Sequence, residues 1–170
     1  VLIAIFCISL APKTLQNDTF YTIKIGEHIL ENGGIDMMDP FSWHEGLEYT
    51  YPHWLYDVMI YLIYSAGGML GIYISTCVFS VLLGIAIFEI NSRLTKNKVL
   101  SFVITLGAMY LLKDYIAARA QLVTFILFTL QLYLMEKLVN TSKKRYGIGL
   151  IIISILIANL HVAVWPFMFV

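Results

Sequence analysis

The sequence predicts an all-α fold, a polytopic membrane helical bundle, and three observations carry that prediction. Hydrophobic residues make up 59% of the 170 and charged residues only 13%, with a mean hydropathy of +0.80, a balance too apolar for a water-soluble domain of this length. Apolar runs at 69–90 and from 147 onward reach the roughly 20 residues that cross a bilayer. The charges are also segregated. Eight of the eleven acids (Asp18, Glu27, Glu31, Asp36, Asp39, Glu45, Glu48, Asp57) lie between positions 13 and 57, opposed there only by Lys13 and Lys24. Lys and Arg gather in short interhelical turns, so a nucleic-acid partner has no support. Cys7 and Cys77 fall in apolar runs and give no disulfide framework.

Taken in order, the first element is a span over about 1–11. It begins without Met and has no small-residue cleavage signal after it, which reads as a truncated first span rather than a signal peptide. A loop over 12–68 follows and carries two surface helices, at about 19–32 and 53–66. The first has Asn17 and Asp18 before it and Asn32-Gly33-Gly34 as its stop, with Phe20, Ile23 and Leu30 near helical spacing. The second lies between Pro52 and Gly67-Gly68, and its Trp54, Tyr56, Tyr61 and Tyr64 suit the headgroup level. Spans follow at about 69–90, 99–113, 120–137 and 147–168. Of these, 99–113 and 120–137 form a short antiparallel hairpin.

Basic residues orient the chain. Arg93, Lys96 and Lys98 mark the turn near 91–98, and Lys137, Lys143, Lys144 and Arg145 mark the one near 138–146; both are cytoplasmic by the positive-inside rule. The loop 12–68 is then extracytoplasmic, with one crossing, 69–90, between it and the first basic turn.

One span, an outer loop with two surface helices and an acid at the start of the first, then further spans, resembles the GT-C membrane glycosyltransferases. The segments Asn17-Asp-Thr-Phe-Tyr-Thr-Ile-Lys-Ile-Gly-Glu-His-Ile-Leu-Glu-Asn-Gly33, Asp39-Pro-Phe-Ser-Trp43, Pro52-His-Trp-Leu55, Gly67-Gly68, Ala118-Arg-Ala-Gln-Leu-Val-Thr-Phe125 and Ala158-Asn-Leu-His161 are similar to an uncharacterised bacterial branch grouped there. The resemblance implies a cell-membrane protein that takes a sugar from a polyprenyl-phosphate donor and passes it to an acceptor at the outer face. Membrane lipid and lipid-linked sugar are the implied partners. In the protein O-mannosyltransferase and aminoarabinose-transferase branches an acid early in the first outer loop is the candidate catalytic base, and Asp18 occupies that position. Those branches often carry a second acid immediately after it, where this chain has Thr19.

Such chemistry needs a group to accept the acceptor's proton and a positive group for the departing phosphate. Asp18 suits the first role, although an Asp before a helix also suits an N-cap. Arg119, at the outer end of the hairpin, suits bidentate phosphate binding, with Lys113 as a second cation; snorkelling to headgroups is the alternative for both. His53 and Trp54 are expected to contact sugar, His53 alternatively capping the second surface helix, and Gln121 joins Arg119 as a substrate-binding residue. Asp36, Asp39 and Asp57 read as turn or cap residues. His28, His44 and His53 share the loop with carboxylates, so a divalent metal is conceivable, but no metal-ligand spacing supports one. Asn159 and His161 read as interhelical hydrogen-bonding groups. The competing function is a non-enzymatic transporter or lipid-handling protein in which Asn159, His161 and Arg119 line a substrate path.

Overall fold

The computed structural model describes residues 1–14 and 16–169, the side chains of 167–169 excepted. Among the described residues six α-helices run in order: α1 (Leu2–Leu10), α2 (Asn17–Glu31), α3 (Trp54–Thr95), α4 (Lys98–Leu111), α5 (Ala120–Thr141) and α6 (Lys144–Leu160). Short 3-10 segments occupy Lys113–Tyr115 and Val162–Phe169. Among the described residues the extended pairing is one antiparallel bridge, Met38 with Glu48. Two helices among the described residues, α3 and α5, are long and apolar enough to cross a membrane, and α4 is a shorter apolar helix.

The expected surface helix at 53–66 and span at 69–90 are joined into α3, which bends at Gly68 (φ 58°, ψ −152°). That backbone conformation is accessible to glycine and costly for other residues. After the bend, a Cβ on Gly71 would lie 2.9 Å from the Ile63 carbonyl oxygen. Residues eight apart on a straight helix are separated by about 12 Å, so the 54–67 arm folds back onto the start of the 69–95 arm.

The remaining helices turn where the sequence has its polar residues. Asn97 caps α4 by accepting from the Val99 and Leu100 amides at 3.1 Å, and Ser142, at φ 51°, turns α5 into α6. The apolar stretch expected as one span to 168 ends its α-helix at Leu160 and continues as the 3-10 segment containing Pro166. α5 runs to Thr141, four residues beyond the expected 137. At the end of the bundle that holds both basic turns, the Arg93 guanidinium stacks over the Tyr133 ring at 5.3 Å.

Beside an apolar core that includes Ile72, Leu83 and Met109, these helices expose apolar faces and bury small polar residues. Leu70, Ile74, Val78, Leu82 and Ile85 form an exposed apolar stripe on α3, while Thr76, Ser80, Ser101, Thr105, Thr124 and Gln131 are buried. The hydroxyls of Thr76, Ser80, Ser101, Thr105 and Thr124 donate within their own helix or across helices, as where Ser80 Oγ donates to the Cys7 carbonyl at 3.0 Å, whereas Thr19 Oγ1 and Gln131 Oε1 are buried without a partner. Small residues let the helices approach closely. A Cβ on Gly84 would meet Cys7 Sγ at 2.5 Å, which seats α1 against α3.

The equivalent contact for α2 is Gly26. A Cβ there would lie 2.2 Å from the Asp57 carbonyl oxygen and 2.7 Å from Tyr61 Cβ. The buried face of α2 is Thr19, Thr22, Ile23, Ile25, Gly26 and Ile29, whereas Phe20 and Leu30, expected on the apolar face, are exposed. Gly26→Ala forces the two backbones apart and should destabilise the protein by about 1–3 kcal/mol. Thermal unfolding in detergent checks this, and an unchanged midpoint would contradict the close contact.

Candidate functional site

Three helices begin around one cleft of about 160 Å³, lined by Asp18, Thr22, His53, Tyr56, Arg119, Ala120, Gln121 and His161. Asp18 lies in the first turn of α2, His53 is the residue before α3, and Arg119 is the residue before α5. None of the three helices has a side-chain cap. Their leading amides therefore contribute partial positive charge at the cleft, where an anion is favoured.

Asp18 is not a cap. The helix starts at Asn17 with Gln16 before it, and the Asp18 carboxylate instead accepts from Arg119 Nη2 at 2.5 Å, a contact across 101 residues of chain. Both side chains reach the surface, Asp18 at 65% and Arg119 at 40% exposure. The Arg119 Nε is nevertheless buried and has no hydrogen-bond partner. One edge of the guanidinium is thus committed to Asp18, and it keeps donors for an anion.

Behind the cleft lies a second pair. His53 Nδ1 is 2.8 Å from Asp57 Oδ1, and Asp57 is 1% exposed. Burial alone would pull the His53 imidazole down. The hydrogen bond and charge of Asp57, together with a backbone hydrogen bond and the charge of Asp18, outweigh burial, and the ring titrates above its ordinary value. The reading of Asp57 as a turn or cap residue is corrected by this burial and by its pairing with His53. His53 itself makes no side-chain cap.

The other expected site residues divide. Gln121 lines the cleft with Arg119. Trp54 does not; its indole N–H donates to Asn159 Oδ1 at 3.0 Å, tying α3 to α6. Lys113 is exposed and stacks over the Tyr110 ring at 4.8 Å, outside the cleft lining. His161 reaches the cleft from the end of α6 and lies 3.2 Å from Thr124 Oγ1. Thr22 and Tyr56 were not expected in the site. Thr22 was legible only through helical spacing from Asp18, at i+4.

The remaining loop residues build local structure. Asp39 Oδ1 accepts from the Phe41 and Ser42 amides at 2.9 and 3.2 Å. Asp36 is held below the usual carboxylate range by the Met38 amide and the Tyr51 hydroxyl. His28 pairs with Asp36 at 3.1 Å and His44 stacks on Trp43 with ring centres 4.0 Å apart. Among the described residues no three His, Cys, Asp or Glu side chains converge as metal ligands. No protein-family model, curated protein or solved structure matches this chain.

Proposed function

We propose that this protein is an integral membrane glycosyltransferase of the GT-C type, acting at the extracytoplasmic face on a polyprenyl-phosphate sugar. Its exposed apolar helix faces and its small polar core residues suit lipid as solvent. The basic turns lie at the end away from the cleft, which supports an extracytoplasmic cleft under the positive-inside rule, and the resemblance above supports a bacterial cell envelope.

The observation that carries the reading is the Asp18–Arg119 pair at a cleft where three uncapped helices start. Arg119 and the helix ends hold the donor's phosphate. The phosphate takes the place of Asp18 on the guanidinium, and the released carboxylate accepts the proton of the acceptor hydroxyl. The acceptor oxygen bonds to the sugar's anomeric carbon as the bond from that carbon to the phosphate oxygen breaks, and the electron pair leaves on polyprenyl phosphate. Beside the cleft an apolar groove lined by Leu55, Met59, Leu62, Leu156 and Leu160 suits an isoprenoid chain.

In the transporter reading Asn159, His161 and Arg119 share a path, yet Asn159 is committed to Trp54 and to the Ile155 carbonyl. The enzyme reading uses more of the cleft. The intact protein in proteoliposomes, given radiolabelled polyprenyl-phosphate sugars and a membrane acceptor fraction, should release unlabelled polyprenyl phosphate and label the acceptor. No transfer from any lipid donor, combined with solute uptake into the vesicles, would overturn the proposal.

A further inference from the structure

His53 and Asp57 are not used by the scheme above, and their geometry is that of a supported imidazole. The carboxylate is buried at the α2–α3 contact and holds Nδ1 at 2.8 Å, while the ring lines the cleft. The nitrogen left for the cleft is therefore Nε2, a donor when the ring is charged and an acceptor when it is neutral. We infer that His53, positioned by Asp57, is a second phosphate-binding group of this cleft and makes phosphate affinity depend on its protonation. The inference rests on the lipid-phosphate reading of the site and names the regulation of that site.

The surroundings favour a charged ring. From its own helix His53 faces Asp57 and Tyr56; from α2 it faces Asp18, from the start of α5 Arg119, and from the end of α6 His161. Two carboxylates thus offset the one guanidinium. Asp57 is enclosed and cannot leave, whereas Asp18 is largely exposed. An incoming phosphate therefore displaces Asp18 and finds a guanidinium and an imidazolium that keeps its own counter-ion. The elevated His53 titration keeps the ring charged further toward neutral pH than a free imidazole.

Equilibrium binding of a polyprenyl methyl phosphodiester to the intact protein in nanodiscs, from pH 5.5 to 8.5, tests this with a headgroup that does not itself titrate in that range. Wild type should lose about tenfold in affinity as His53 deprotonates, the loss of one charge-assisted hydrogen bond. His53→Gln should bind about tenfold more weakly at low pH and show a flat profile. Asp57→Asn should keep low-pH affinity and move the midpoint down by about one unit. Because Asp57 is buried, a histidine NMR titration of wild type, with the His53 signal identified by its loss in His53→Gln, gives a second measure. It should show a midpoint above about 6.5. Binding that is pH-independent in wild type, an unaltered profile in His53→Gln, or a His53 midpoint below that value overturns the inference while leaving the phosphate cleft standing. Failure of wild type to bind the lipid at any pH overturns both.

Discussion

Arg119→Ala should lower kcat/KM for sugar transfer about 10³-fold, with KM raised as well as kcat reduced. In the proposed reaction the guanidinium meets the phosphate in the bound donor and again as negative charge builds on the leaving oxygen, so its removal would cost both ground-state and transition-state stabilisation. Loss of one preorganised donor to a developing oxyanion typically costs about 10²–10³ in rate, and weaker donor binding adds to it. Arg119→Lys keeps the charge but not the planar fork, and should recover only part of the deficit. The fold should survive both changes. The Asp18–Arg119 pair is well exposed, and such pairs contribute about 0–1 kcal/mol. Steady-state transfer kinetics alongside thermal unfolding check the separation. A large drop in melting temperature matched to the lost activity would turn Arg119 into a structural residue.

The helices were legible because apolar runs and their polar punctuation are local. The basic residues near 91–98 and 138–146 and the glycines at 67–68 mark turns by chemistry visible in a few residues, and the chain turns there at Asn97, Ser142 and Gly68. What lies beyond such windows was less legible. Nothing in the run from 147 to 168 marks His161 as a helix end, since Pro166 comes five residues later and the Val162 amide is taken by the Pro52 carbonyl, 3.0 Å away and far back in the chain. Asp18 and Arg119 were each readable as chemistry, but their contact spans 101 residues and depends on how α2 leans on α3. That lean is set by Gly26, whose missing side chain gives no signal in a hydropathy pattern.

The His53–Asp57 pair shows the opposite failure. Its i, i+4 spacing was visible, and a histidine four residues before an acid at a helix start is a pair that can meet. The acid read as a turn or cap residue from its position near the start of the expected helix, one of eight acids crowded into positions 13–57. Burial distinguishes Asp57 from them, and burial comes from α2 covering it. Trp54 and Lys113 were drawn toward the site by residue type. Their side chains turn instead to Asn159 and Tyr110.

Asp18→Asn should separate binding from chemistry, because its two expected effects have opposite signs. If Asp18 is the base of the proposed transfer, its loss leaves the acceptor's proton without one, and kcat should fall by about 10²–10⁴. The same change removes the anion that competes for Arg119, so affinity for polyprenyl phosphate should hold or rise, whereas Arg119→Ala weakens it. An ion pair that merely fastened α2 to the start of α5 predicts something else. Either single substitution would then break the same contact, the two would lose transfer and binding alike, and the double variant would be no worse than either one. A proton acceptor and a phosphate clamp act on different atoms of the reaction. The double variant should therefore lose transfer well beyond each single, while its lipid affinity stays near that of Arg119→Ala. A double-mutant cycle run on kcat/KM and on lipid affinity decides between them: coupling equal to the full effect of each single in both quantities would sink the catalytic assignment of Asp18.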